Sequence, residues 1–171
     1  MRRIALLITT LFVALVGFAP TASAATTINP AAAPTGTHFQ AGTATCTSNG
    51  TVTCSSYELA GVGNANAQAT LTTRYQATVR CRNHGGQIVD VKSQVVAVSS
   101  STGVLEPKNG RLTVPSLTSA PAPSNATFEA LATCPNGNWT KETLAGSIEV
   151  VGFTYTLHFV GFTGDFITIT G

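Results

Sequence analysis

Charge is the first thing this chain lacks: only 9% of its 171 residues are Asp, Glu, Lys or Arg, against about 25% in an ordinary soluble domain. That leaves too few ions to clothe solvent-facing helices in Glu/Lys pairs. Signatures of common catalytic and metal chemistry are missing too. There is no Gly-x-Ser-x-Gly nucleophile elbow, no Asp-x-Asp-x-Asp-Gly calcium loop and no Cys-x-x-Cys pair. The seven acids, Glu58, Asp90, Glu106, Glu129, Glu142, Glu149 and Asp165, are scattered singly, so no two present themselves as the flanking carboxylates of a glycosidase. His38, His84 and His158 are the only imidazoles, and none sits beside a recognisable nucleophile. No catalytic residue, metal ion or cofactor is therefore expected.

What the N-terminus has is a complete export pattern. Arg2 and Arg3 precede an apolar run from Ile4 to Phe18, followed by Pro20 and the small triplet Ala22-Ser23-Ala24. Residues 1–24 thus read as a signal peptide cleaved after Ala24 or a near neighbour. The run is shorter than the ~20 residues of a membrane span, and no comparable stretch follows. The expectation is a secreted, extracellular product, either free or associated with the cell wall, with no membrane span after cleavage. Loss of Arg2 and Arg3 leaves seven basic side chains against seven acidic ones. The mature protein is formally neutral, which removes the compositional case for a nucleic-acid partner.

Cys46, Cys54, Cys81 and Cys134 all follow the signal. In an oxidising compartment an even count reads as two disulfides, with three connectivities open. The rest of the pattern concerns strands. Residues 25–36 mix Pro and Gly with Ala and Thr without periodicity, and read as a flexible leader to a single domain over 37–171. From Ala65 to Arg82 the odd positions are mostly apolar and the even positions wholly polar. A strand with one buried and one solvated face requires that alternation, whereas a helix would smear both sets around its circumference. Val52–Leu59, Ile88–Ser99, Arg111–Leu117, Thr127–Cys134, Ser147–Phe153, Tyr155–Val160 and Phe166–Thr170 repeat the theme between turn signals such as Asn49-Gly50 and Asn109-Gly110. Lys141–Ala145 is the one short stretch that invites a helix. The expected fold is all-β: an antiparallel two-sheet sandwich, immunoglobulin-like in architecture, with about eight strands and two disulfides.

That pattern selects a connectivity. Cys46 and Cys54 flank Asn49-Gly50, so a hairpin there sets them opposite one another. Cys81 lies on the apolar face of the long strand, and Cys134 shares its parity with Phe128, Ala130 and Ala132. Both should point inward and bridge the sheets. Chain-entropy arguments give roughly 2.5 kcal/mol for the short loop and about 4 kcal/mol for the long one.

Binding candidates are few. His84 lies in the Gly-rich turn Asn83-His84-Gly85-Gly86, and Trp139, the only tryptophan, follows Cys134-Pro135-Asn136-Gly137-Asn138. Trp139 either packs on the nearby disulfide or forms an exposed stacking platform. Arg74, Arg80 and Arg82 share the polar face of the long strand and, with Arg111, form either an anion-binding stripe or a solvated face that discourages aggregation. His158 reads as a solvated strand histidine. Asn-x-Thr sequons at Asn49, Asn125 and Asn138 are glycan acceptors only in a eukaryotic secretory pathway.

At Gly63-Asn64, Cys81-Arg82-Asn83-His84-Gly85-Gly86, Lys108-Asn109-Gly110-Arg111 and Cys134-Pro135-Asn136-Gly137-Asn138-Trp139-Thr140, the chain resembles a group of small secreted β-rich actinobacterial proteins of uncharacterised function. The resemblance covers roughly residues 45 to 171. It implies a Gram-positive secreted protein and brings no catalytic or binding residues with it. The reading is a non-catalytic extracellular module that binds an unknown polymer, protein or small molecule through loops at one end of the sandwich. A secreted protease inhibitor, with Leu117–Ser124 as a Pro-stiffened bait loop, is the alternative, and a small secreted hydrolase the third.

Overall fold

The computed structural model describes residues 24–171, so the export signal expected at residues 1–24 lies, but for Ala24, outside the described residues. Mostly β and antiparallel throughout, the described chain runs β1 (Ala25–Ile28), β2 (His38–Ala41), β3 (Cys46–Ser48), β4 (Val52–Cys54), β5 (Tyr57–Ala60), β6 (Ala67–Gln76), β7 (Thr78–Arg82), β8 (Ile88–Lys92), β9 (Val96–Leu105), β10 (Arg111–Val114) and β11 (Leu117–Thr118). The single α-helix among the described residues, α1 (Asn125–Leu131), precedes β12 (Thr140–Thr143), β13 (Glu149–Phe159) and β14 (Ile167–Thr170). The strands form four sheets: β1-β14-β13-β6-β9, β10-β5-β2, β11-β4-β3 and β12-β7-β8. This corrects the expectation of about eight strands in two sheets. Long runs such as Val52–Leu59 and Ile88–Ser99 each break into two strands that pair with different partners.

The alternation over residues 65–82 survives in the burial pattern. Ala67, Ala69, Leu71, Thr73, Tyr75, Ala77, Val79 and Cys81 are all buried, as a half-buried strand demands. Hydrogen bonding, however, divides the stretch at Ala77. β6 pairs with β13 and β9, whereas β7 pairs with β8 and β12. The Ala77 amide instead donates to the buried Ser93 hydroxyl at 3.1 Å, so the break leaves no orphaned donor there.

The main core lies between the inner face of the five-stranded sheet and the sheets of β4, β5, β10 and β11. Leu71, Tyr155, Leu157, Phe159, Ile167 and Ile169 meet Val52, Tyr57, Leu59, Leu112 and Val114 in one apolar cluster. Tyr57 and Tyr155 join the two sides by a 2.8 Å bond between their hydroxyls. Burial pushes both phenols up from the ordinary tyrosine range. A smaller cluster, Tyr75, Ala77, Val79, Phe128 and Ala132, sits beneath α1.

Three other expectations change. Residues 25–28 form β1 against β14, and Pro30–Ala32 form a 3-10 turn that buries Ala32, so this segment is part of the fold and not a flexible leader. The strand expected at Thr127–Cys134 is helix α1 followed by a loop: Phe128 and Ala132 are buried while Ala130 is exposed, an i, i+4 pattern. Lys141–Ala145, the one stretch that invited a helix, begins inside strand β12. Both disulfides pair as expected, Cys46 with Cys54 and Cys81 with Cys134. Cys46 and Cys54 are direct cross-strand partners beside the Asn49-Gly50 turn. The strand-parity route to Cys134 fails even though its pairing holds, because Cys134 sits in the loop after α1. Asn109-Gly110 turns with φ of 52° and 73°, the doubly left-handed geometry that a tight two-residue hairpin needs.

Candidate functional site

The site is built from the two loops that leave the ends of β7 and β12. Arg82 and Thr140 are cross-strand partners, and the Thr140 hydroxyl donates to the Arg82 carbonyl at 3.1 Å. That pairing sets Asn83 and Trp139, their next neighbours in sequence, side by side. Below them the Cys81–Cys134 bridge holds the same two segments, with Cα atoms 5.8 Å apart. The loops enclose a solvent-open cleft of about 260 Å³ lined by Asn83, His84, Gly85, Asn136, Asn138 and Trp139. His84 and Trp139, two of the five binding candidates read from sequence, thus share one cleft, while Arg74, Arg80 and Arg82 lie outside its lining. Trp139 is half-buried and His84 exposed.

Each loop stiffens itself. The Asn83 side chain accepts from the Gln87 amide at 2.8 Å and donates to the Gln87 side chain at 2.6 Å. A backbone bond from Gly86 to the Asn83 carbonyl closes the turn, and Gly86 takes φ of 82° at its corner. In the opposite loop the Asn136 side-chain oxygen accepts from the Asn138 amide at 3.1 Å, an Asx turn. Asn83, Asn136 and Asn138 were not singled out for binding from sequence. Asn83 and Asn136 each follow a bridged cysteine by two residues, in Cys81-Arg82-Asn83 and Cys134-Pro135-Asn136, and that symmetry about the disulfide was the signal available.

The arginines do not form one stripe. Arg74 belongs to β6, whereas Arg80 and Arg82 belong to β7 in another sheet. Asp90 engages Arg80 through two bonds of 2.9 and 3.1 Å. That pair holds the Asp90 carboxyl below its usual range and raises the Arg80 guanidinium. Arg111 is paired with Glu58 at 3.0 Å. Arg74 lies over Gly152 at the β13 bulge, where an added Cβ would come within 2.8 Å of its Nη2. With Gln76, Val95 and Val151 it lines a separate groove of about 420 Å³.

His158 anchors its ring Nδ1 on the Gly164 carbonyl at 2.8 Å, with Asp165 at 3.6 Å. The segment Leu117–Ser124 is tied down along its first half. Leu117 and Ser119 are buried, Ser119 exchanges backbone and side-chain bonds with Val52, and the Tyr75 hydroxyl donates to the Ala120 carbonyl. Among the described residues every cysteine is in a disulfide, no cluster of three His, Cys, Asp or Glu side chains is placed to hold a metal, and no helix is long and apolar enough to cross a membrane. Comparison with known protein families, curated proteins and solved structures finds no match.

Proposed function

We propose that this chain is a secreted, non-catalytic extracellular module that binds its ligand through the His84–Trp139 loop cleft. The observation that carries the reading is the convergence of two self-stiffened loops, stapled by Cys81–Cys134, on one aromatic and polar cleft. Function concentrates on loops that a rigid scaffold positions, and here the staple and the β7–β12 pairing supply the scaffold. Two disulfides suit an oxidising compartment, and the export pattern of residues 1–24 supplies the route there. With all four cysteines bridged there is no thiolate nucleophile, and the His158–Asp165 pair lies apart from the cleft lining. The immunoglobulin-like reading is retained in a modified form: the five-stranded sheet is one layer, and the sheets of β4 and β5 together make the other.

A binding screen of the exported, oxidised protein against cell-wall polysaccharides, secreted proteases and culture supernatant tests the proposal, followed by Trp139→Ala and His84→Ala. The expected result is a retained partner lost in both variants without loss of fold. A partner retained equally by both variants would place the binding surface elsewhere. Stoichiometric inhibition of a protease, abolished by cutting after Ala120, would support the inhibitor instead.

A further inference from the structure

We infer that the His84–Trp139 cleft takes an uncharged saccharide ring, an assignment that rests on its being the binding site. The cleft has no carboxylate, ammonium or guanidinium in its lining. A charged ligand would therefore shed water with no opposite charge to replace it. An apolar ligand fits no better, since it would cover amide and imidazole groups without satisfying them.

The unspent hydrogen-bonding capacity points the same way. Asn83 has spent its side-chain oxygen and amide on Gln87, and Asn136 has spent its oxygen on Asn138. The Asn136 side-chain amide, the whole Asn138 side chain, both His84 ring nitrogens and the Trp139 indole N–H make no bond to other described residues. These are neutral donors and acceptors set close together. Neighbouring sugar hydroxyls, each both donor and acceptor, match an amide that offers one of each. The half-buried indole supplies an apolar surface with a polar edge for the C–H face of a sugar ring.

Size and stiffness limit the ligand further. About 260 Å³ falls below the ~300–1,000 Å³ of pockets that engulf drug-sized molecules. One ring can sit in it, with the rest of a chain running out into solvent. An extended peptide would look instead for an unpaired strand edge, where its backbone could add to a sheet. Two loops already fixed by the disulfide and their own turns have little freedom left to lose on binding. So small a contact supports a Kd on the order of 1 mM per ring.

Trp139 is the only tryptophan, so its emission reports on this cleft alone. The full chain, exported and oxidised, is titrated with neutral glucose, mannose, galactose and N-acetylglucosamine oligomers, with uronic-acid and glucosamine oligomers, and with mixed peptides. A saturable change with a neutral oligomer is expected, weaker with the charged sugars. His84→Ala and Asn138→Ala should each weaken it about tenfold. Both side chains are exposed, so the unfolding midpoint should hold, and the same-sized Asn138→Asp should weaken binding without altering shape. A response to peptides or charged sugars alone would overturn the saccharide assignment and leave the cleft as a binding site. Saccharide binding seen by calorimetry with unchanged Trp139 emission, and equal in the variants, would overturn the cleft itself. Silence with every probe removes both.

Discussion

The two packed regions hold together by different means. The main core joins its layers chiefly through large apolar side chains such as Leu71, Phe159 and Ile167, with a few polar links, among them Tyr57 to Tyr155, Tyr75 to Ala120 and Ser100 to Thr118. The smaller region of β7, β8, β12 and α1 buries little beyond Phe128, Val79 and Ala132, and leaves Ile88 and Val89 exposed on β8. Covalent and polar ties replace the missing burial. Cys81–Cys134 crosses it, the Glu129 side chain accepts from the Thr143 amide at 2.9 Å, and the Lys141 ammonium donates to the Ala132 carbonyl at 2.7 Å. The cleft stands on this second region. The cleft is placed by a staple more than by a core.

The largest expected effect breaks that staple. Cys81→Ala with Cys134→Ala removes a constraint across 53 residues of sequence and should cost about 4 kcal/mol, against roughly 2.5 kcal/mol for the Cys46–Cys54 pair. Urea unfolding measures both. Native-state hydrogen exchange sharpens the contrast, because β7 and β12 should lose protection before β6 and β13 do; simultaneous loss would mean that the regions melt as one. Next comes Leu71→Ala in the main core, expected to cost about 3 kcal/mol in global unfolding, with both regions losing protection together.

Tyr57→Phe should cost about 2 kcal/mol, because it leaves the buried Tyr155 hydroxyl without its partner. The same pair sets an alkaline limit. Burial holds both phenols protonated above their ordinary 10.0, while the unfolded chain ionises near that value. Stability from the pair is therefore present below pH 10.0 and lost as pH rises past it. Thermal melts from pH 9 to 11 should show the decline, and it should be shallower in Tyr57→Phe. Thr73→Val should go the other way and stabilise by about 1 kcal/mol, because the buried Thr73 hydroxyl has no hydrogen-bond partner; an unchanged or lower denaturation midpoint would show that a water satisfies it. The smallest effect belongs to the exposed Arg80–Asp90 pair. Its carboxyl is held below the ordinary 3.8, so the contribution is present above that pH and lost as pH falls below it. Asp90→Asn should remove the acid dependence with little change near neutrality, and salt should mask the difference.

Residues 65–82 show how far the sequence could be read. Their alternation identified every buried side chain from Ala67 to Cys81, because side-chain direction is a local property of a strand. It could not show that pairing changes at Ala77, since partners are chosen by distant segments. Helix α1 was illegible for a related reason. Within its seven residues only Phe128 is buried, and the next buried residue, Ala132, is already the C-cap, so there is no full helical repeat to read, while alternating apolar residues mimic a strand. β1 has no buried face, so no periodicity marked it; only its ladder to β14 makes it a strand. At the site, His84 and Trp139 were visible as aromatic groups in turns, but their meeting depends on the Arg82–Thr140 register, which no local pattern encodes.

That same β1 carries a consequence for folding. Its residues pair with β14 alone, Ala25 opposite Thr170 and Ile28 opposite Ile167. Closing this ladder brings together two segments far apart in the sequence, a contact whose loop-closure entropy must be met before it gains anything. In any partly folded state that lacks β14, β1 is therefore left as an unpaired edge.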